Sequence, residues 1–498
     1  MRGSDCRSRG VSAAILRHPA YVEWPVDPRD RLPLTLWDAK TIAAAVNGTA
    51  SHDFQVAGVE MDSRDVVNGD LFVALKGEAM DGHRFLDKAF ANGAAGAIVD
   101  RPVDWPHILV EDTTEALKAL ARAARNRGEA KIIGVTGSVG KTGVKEAIFA
   151  SLERASRGAA HRSTRSYNNH VGVPLSLARM PARNRFGVFE MGMNHAGEIA
   201  GLTTQVRPHV AVITTIAPAH IENLGSMEAI ADAKAEIFQG IEPGGTAVIP
   251  ADSEHYDRLK MAALRAGAKV VSFGRARFAD VRLLDAIPSA NGGSLVTCEF
   301  PEGRLCYTVA EPGDHWVVNS LAVMAAVRAA GGDMAAAGLA LAEMGGLKGR
   351  GARHGIEVPG GKALLIDESY NANPASMRAT LAQLGQTPSG RRIAVLGAMK
   401  ELGDFGPQFH AALSEPVLAA DVDYAVLVGD EMAALARELG KPESSVLGKP
   451  IAWAHCRTAD EAIELLEDFG VVAGDAVLVK GSNSVGLGRL VDHFTRAR

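Results

Sequence analysis

The sequence predicts an α/β protein of three domains, each built on a largely parallel sheet with helices packed against it. Three observations carry this expectation. Short runs rich in β-branched residues alternate with helix-like segments over most of the chain, the pattern of βαβ units. Several of these runs, "KIIGVTG", "FGVFEMG", "HVAVITTIA" and "RRIAVLGA", are apolar almost throughout rather than alternating, as strands buried on both faces are. The chain has 498 residues, which at roughly 100–200 residues per domain is about three domains. Its 53 glycines against 5% aromatics suit many tight strand-to-helix turns.

The elements follow in order. Residues 1–33 contain arginines but no apolar core of signal-peptide length, and are expected to be a disordered extension. Residues 34–110 form a small α/β unit. In it "LTLWDAKTIAAAVNG" has the spacing of an amphipathic helix ending at Asn47-Gly48, and "FQVAGVEMDS", "DLFVALKG" and "GAAGAIVD" read as strands around the helix "RFLDKAFANG". Residues 111–344 open with the helix "TTEALKALARAARNRG" and the strand "KIIGVTG". They continue through alternating strands and helices, a hairpin insertion ("GSLVTCEF" and "RLCYTVAE") and two Ala-rich helices. "GLKGRGARHG" reads as a hinge. Residues 345–498 repeat the alternation as a Rossmann-like unit with strands "ALLIDES", "RRIAVLGA", "DYAVLVGD" and "DAVLVKGS". On such sheets ligands sit at the carboxyl ends of the strands, and the polar motifs below all fall there.

Composition excludes some function classes. The formal net charge is −5, so there is no strong basic field and nucleic acid is not expected as a partner. No apolar run approaches 18 residues, so no membrane-spanning helix is expected. The four cysteines, Cys6, Cys298, Cys306 and Cys456, form no C-x-x-C pair, and a zinc site is not expected. Cys298 and Cys306 could face each other across the hairpin, but reduced thiols in a cytoplasmic protein are the simpler expectation.

The stretch "GVTGSVGKTG", Gly134 to Gly143, raises a specific question. It ends like the phosphate-binding pattern G-x-x-x-x-G-K-[ST], yet Val135 stands where the first glycine belongs. Its context, after a strand and before the helix "GVKEAIFASLERA", is still that of a phosphate cradle, in which backbone N–H groups and a helix N-terminus face an anion. Lys141 would then reach the β/γ-phosphates and Thr142 would hold Mg²⁺. "FEMGMNHAGEI" places Glu190 at a strand end, where it is either a Mg²⁺ ligand or a solvated strand end. "TTIAPAHIENLGS" places His220 at the end of the next strand; a lone histidine is more often structural. "DAKAEIF" carries Lys234 on a helix, where a lysine is normally solvated. Only membership of one pattern makes these residues a site.

They form such a pattern. The order T-G-S-x-G-K-T, N-N-x-x-G-x-P ("NNHVGVP"), E-M-G, A-H and K-x-E-I-F resembles the central domain of the Mur ligase family, ATP-dependent amide-forming enzymes of peptidoglycan synthesis. That family's loop does not require the first glycine. In the third domain "DESYNANPASM", with "KELG" and "LVKGS", resembles those members that join D-alanyl-D-alanine to UDP-N-acetylmuramoyl-tripeptide. "DSR", "GDLFVALKGE" and "DGHRF" resemble their uridine-diphosphate-binding region. The resemblance covers about residues 34–498.

It implies a fold and a set of roles. A central ATP-binding domain is flanked by a UDP-binding domain and a C-terminal Rossmann-like domain. Gly137, Ser138, Val139, Gly140, Lys141 and Thr142 cradle ATP; Thr142 and Glu190 hold Mg²⁺. His220 and Lys234, the latter as a carbamate, hold a second Mg²⁺. Asn319 lies near the adenine, and Arg350, Asp367, Tyr370 and Asn371 approach the nucleotide from the third domain. Ser63 and Arg64 bind the uridine end, and Asn168, Asn169 and Asn373 meet the remaining substrate. The expected partners are UDP-N-acetylmuramoyl-tripeptide and D-alanyl-D-alanine, in the cytoplasm, on a monomer. Four positions depart from the family pattern: Ala398, Asn483, Thr215 and Pro250 stand where Asp, Arg, Asn and Asn are usual. Among rivals, the ligase that adds the third amino acid often carries an Asp-Asn-Pro-Arg motif, absent here. Folylpolyglutamate synthetase should lack the UDP-binding domain. A nucleotide-binding regulator would lose the metal ligands.

Overall fold

The computed structural model describes residues 35–77, 80–164, 166–289, 292–441, 445–446 and 449–496; the expectations for residues 1–33, Cys6 included, lie outside them. Three sheets organise the chain. In the first, the order is Thr49–Ala50, His107–Leu109, Gly96–Val99, Asp70–Val73, Gly58–Glu60, all parallel except the first pair. The predicted first helix is Ala39–Val46. Asp38 stops it from starting earlier, because its carboxylate accepts Thr41 N–H in a capping box, and Asn47 ends it in the left-handed region at φ +53°. The helix Thr113–Asn126 presses Ala116, Leu117, Leu120 and Ala124 into the core of this same sheet. Leu175 and Ala178 join that core from the helix Gly172–Ala178.

The central sheet runs Ala160–Arg162, Phe186–Glu190, Lys131–Thr136, Val210–Ile213, Thr246–Pro250, Lys269–Gly274, Val281–Pro288, Ser294–Phe300, Gly303–Val309. It is parallel through the first seven strands and antiparallel over the last two. The chain leaves Lys131–Thr136 for strands on one side and later returns on its other side at Val210–Ile213, so its C-terminal end is a topological switch point. The hairpin is present, but its register pairs Thr297 with Cys306 and Cys298 with Leu305. Successive side chains on a strand point to opposite faces, so Cys298 is buried, Cys306 is exposed, and both are free thiols.

In the third sheet Ala352–Val358 pairs antiparallel with Gly361–Glu368, followed in parallel by Ala476–Lys480, Arg392–Gly397, Tyr424–Val428 and Ala452–Cys456. The stretch "GLKGRGARHG", read as a hinge, is irregular only up to Gly351; from Ala352 it is strand. No described helix is long and apolar enough to cross a membrane.

Candidate functional site

Val135 is fully buried inside the Lys131–Thr136 strand, paired with Glu190 on one side and Val212 on the other. The position that lacks the first glycine is therefore strand, and the turn begins only after Thr136. There the backbone needs glycine twice. Gly137 has φ +148° and Gly140 φ +85°. A Cβ on Gly137 would lie 2.0 Å from Thr214 Oγ1, and one on Gly140 would lie 3.0 Å from Asn319 Nδ2. Ser138 secures the loop: its N–H donates to Thr215 O at 2.8 Å and its hydroxyl to Ala217 O at 2.8 Å. Gly140 caps the helix Lys141–Ser156 without any side-chain hydrogen bond, which leaves first-turn N–H groups facing the cavity as donors for an anion. Gly137→Ala should accordingly weaken binding of a non-hydrolysable ATP analogue by about tenfold or more, the strain of one forced contact, as read by calorimetric titration.

Thr142 Oγ1 donates to Glu190 Oε2 and Asn168 Nδ2 to Glu190 Oε1, each at 2.8 Å. Glu190 is thus a buried strand-end carboxylate held on both oxygens, 1% exposed. Lys141 Nζ donates back to Gly137 O at 2.7 Å. Burial lowers the Lys141 pKa; Glu190 and Glu401 oppose this and Arg350 reinforces it. Lys234, on the helix Met227–Ala235, is 2% exposed and faces the same cavity. Burial, and secondarily the charge of Lys141, hold its pKa well below the usual lysine range. His220 takes the left-handed conformation at φ +58°, and its Nδ1 lies 2.6 Å from Glu401 Oε2 of the third domain.

The third domain closes the opposite wall. The Arg350 guanidinium stacks 4.4 Å from the centre of the Tyr370 ring. Asn373 caps the helix Pro374–Gln386 in a capping box with Ser376. Together Ser138, Val139, Gly140, Lys141, Glu190, His220, Lys234, Asn168, Asn319, Arg350, Tyr370, Asn371 and Asn373 line one cavity of about 430 Å³, the size of a small-molecule site. Gly137 and Thr142 lie behind this wall, Thr142 reaching it only through Glu190. Asp367 is not in its wall. It is buried, with Oδ2 accepting Gly349 N–H at 2.7 Å and Oδ1 accepting the Ser369 N–H and hydroxyl at 3.1 and 2.6 Å. It orders the loops that present Arg350 and Tyr370. Asn169 turns its side-chain carbonyl oxygen to Gly172 N–H at 2.9 Å and is not in the cavity wall, and Ser63 and Arg64 lie on the first domain, outside the cavity.

Sequence reasoning missed Glu368, Lys480, His315 and Trp316, which also line the cavity, and Glu401. Lys480 is buried and donates to Asn371 O at 2.9 Å, with Glu368 at 3.3 Å. The usable signal was a charged residue at the end of an apolar run, "LLIDE" and "VLVK". Of the four departures, Thr215 lines the cavity and Pro250 ends a buried strand beside it in sequence order. Ala398 is buried against Gly429, and Asn483 is exposed.

Among the described residues no three His, Cys, Asp or Glu side chains gather as a metal cage. Mg²⁺ does not need one, since it keeps waters and substrate phosphate oxygens and takes one or two protein oxygens. The Thr142 hydroxyl and Glu190 carboxylate are such a hard-oxygen set and fit it.

The comparisons agree with this geometry. Residues 135–327 match the Mur ligase middle domain, 356–483 the Mur ligase glutamate ligase domain, and 55–126 the Mur ligase family catalytic domain. The UDP-N-acetylmuramoyl-tripeptide–D-alanyl-D-alanine ligase of Synechocystis is 34% identical over 466 residues, covering 89% of this chain and 93% of that protein. The protein of the same name from Escherichia coli is 35% identical over 394 residues, covering 78% and 85%. MurF from Acinetobacter baumannii superposes with a TM-score of 0.78 at 30% identity, over 93% of this chain and 99% of that one. MurF from Thermotoga maritima in complex with ADP gives 0.69 at 27% identity, over 88% and 97%. A phosphate loop without the first pattern glycine, facing a strand-end glutamate and a buried lysine and walled by a YNANP loop, in a chain matched over most of its length by these relatives, places the chain in the Mur ligase family.

Proposed function

We propose that this protein is an ATP-dependent, ADP-forming ligase that joins D-alanyl-D-alanine to UDP-N-acetylmuramoyl-tripeptide, the last amide-forming step before the peptidoglycan precursor leaves the cytoplasm. The observation that carries the reading is the single cavity in which the phosphate loop meets the YNANP loop, in a chain 34% identical to a ligase of that name.

A carboxylate does not react with an amine at neutral pH without activation. In the first step an oxygen of the tripeptide carboxylate bonds to the γ-phosphorus of ATP as the bond to the β-phosphate oxygen breaks, giving an acyl phosphate and ADP. The dipeptide amine then bonds to the acyl carbon, losing one proton, and inorganic phosphate leaves from the tetrahedral intermediate. The first step brings two anions together, so fixed positive charge is the main requirement. Lys141 supplies it at the β/γ-phosphates, and the N-terminus of its helix adds donors. Glu190 and Thr142 hold Mg²⁺, which when bound neutralises phosphate charge. Asn319, Arg350, Tyr370 and Asn371 hold the nucleotide, with Asp367 fixing the loops that carry them. Ser63 and Arg64 hold the uridine end, and Asn168, Asn169 and Asn373 border the peptide. Every residue in this scheme comes from one chain, so a monomer suffices.

Lys234 belongs to the scheme as a carbamate. Burial disfavours the protonated form of the Lys234 amine; an unprotonated amine adds to CO₂ with loss of a proton, and the resulting carbamate oxygen would be the ligand type Mg²⁺ prefers. His220, which lines the same cavity, would be the further ligand. Clear unmodified density at Lys234 in crystals with both metals bound would remove this part.

Phosphate release measured with UDP-N-acetylmuramoyl-tripeptide and ATP should require D-alanyl-D-alanine. Release that ignores the dipeptide would defeat the whole reading. Running the assay with tripeptides ending in lysine and in meso-diaminopimelate identifies the natural third residue.

A further inference from the structure

We infer that Arg179 and Glu60 form a clasp between the first and central domains that sets the position of the Asp62-Ser63-Arg64 turn, and thereby acts as a positioning pair for the uridine end of the substrate. The inference rests on the proposed function only in naming that substrate.

Arg179 follows the helix Gly172–Ala178 of the central domain. Its three nitrogens are all engaged across or beside the domain boundary. Nε donates to Val59 O at 2.6 Å, Nη1 to Thr164 Oγ1 at 3.1 Å, and Nη2 to Glu60 Oε2. Glu60 ends the last strand of the first sheet and is 7% exposed. Its second oxygen, Oε1, accepts Met61 N–H at 2.9 Å and Asp62 N–H at 3.3 Å. A carboxylate gripped on one oxygen by a guanidinium therefore holds, through the other, the two amides that start the turn carrying Ser63. Asp62 extends the same order one step further by accepting Arg64 N–H at 3.0 Å, and Asn92 Nδ2 pins Ser63 O at 2.7 Å.

The other end of the Arg179 helix leads to the phosphate site. Asn169 Oδ1 accepts Gly172 N–H, the first amide of that helix, at 2.9 Å, and its neighbour Asn168 donates to Glu190, which accepts from Thr142. The uridine-end turn and the phosphate loop are thus tied to the two ends of one short helix, whose middle is packed in the shared core through Leu175 and Ala178. An extended substrate that spans the two domains needs this fixed spacing, because a small displacement at one anchor misplaces the reacting carboxylate at the other. Lysine cannot replace Arg179, because an ammonium cannot reach three acceptors in a planar fork.

The test is calorimetric titration of Arg179→Gln, Arg179→Lys, Glu60→Gln and the double variant Arg179→Gln/Glu60→Gln. UDP-N-acetylmuramoyl-tripeptide, UDP alone and a non-hydrolysable ATP analogue are the probes. Arg179→Gln should weaken both uridine ligands by about tenfold or more, the size expected for losing a charged hydrogen-bond set. Affinity for the ATP analogue should stay within about twofold, a split that general destabilisation would not produce. Arg179→Lys should fall between wild type and Arg179→Gln, and the double variant should be no weaker than Arg179→Gln alone, since both remove one clasp. Unchanged uridine-ligand affinity in Arg179→Gln, or equal loss for the ATP analogue, overturns the inference. Because these are binding measurements, a wild-type protein that binds the uridine ligand but shows no dipeptide-dependent turnover would refute the proposed reaction and leave the clasp to be judged on its own result.

Discussion

Lys141→Ala should lower kcat by about 10²-fold or more, the loss typical of removing one preorganised charge from a developing anion. The argument is geometric before it is electrostatic. Lys141 is the first residue of the loop helix, and its amine folds back to Gly137 O at 2.7 Å. It therefore already sits over the mouth of the loop, where the phosphates of ATP would lie. Burial lowers its pKa, but Glu190 and Glu401 pull in the opposite direction. Arg350 approaches from the third domain, so part of the phosphate affinity should survive the substitution while the rate does not. Steady-state phosphate release at saturating substrates checks this; turnover within a fewfold of wild type would refute the role.

Lys234→Met should produce opposite changes in stability and activity. In the absence of CO₂ and Mg²⁺, Lys234 is a buried amine whose pKa lies well below its unfolded value. The unfolded chain then binds more protons than the native one at every pH between the folded pKa and about 10.4. Stability must rise with pH across that window, and at neutral pH the lysine is a cost. Methionine fills similar volume without a charge to desolvate. The variant should melt at least about 2 °C higher than wild type in degassed, metal-free buffer at pH 7, and lose the part of the pH slope that Lys234 contributes. Its turnover should fall by about 10²-fold, as loss of a ligand to the catalytic cation would require. A lower melting temperature in Lys234→Met would show that the buried amine has a compensating partner and would remove the basis for its carbamylation.

Much of the fold was legible because strands buried on both faces leave an unmistakable apolar run. "KIIGVTG", "FGVFEMG", "RRIAVLGA" and "DAVLVKGS" became Lys131–Thr136, Phe186–Glu190, Arg392–Gly397 and Ala476–Lys480. Boundaries set by single side chains were harder. Asp38 could stop the first helix only through a hydrogen bond to Thr41, and the second half of "GLKGRGARHG" became strand because Gly361–Glu368 lies beside it, a partner that no local pattern announces. The site divides in the same way. The placement of Lys141 and Thr142 at the start of a helix and of Glu190 at a strand end was readable from strand–loop–helix order. Lys480 and Glu368 carry only the weak signal of a charge ending an apolar run, which does not separate a residue in a cavity from one in water, and Trp316 carries no such signal. Asp367, expected from the resemblance at the nucleotide, instead turns its carboxylate to Gly349 and Ser369.

By itself the sequence determined the α/β class, the strand–loop–helix context of the phosphate loop, and the order of the chemical groups along the chain. These depend on hydrophobic periodicity and on backbone conformations open only to glycine, which are local properties. Only the tertiary structure decided that Arg350, Tyr370 and Lys480 meet Lys141 and Lys234 across one cavity, that Glu401 pairs with His220, and that Arg179 reaches Glu60. Those contacts join residues tens to hundreds of positions apart, and they exist because apolar burial packs three sheets together and desolvates the charged groups caught between them.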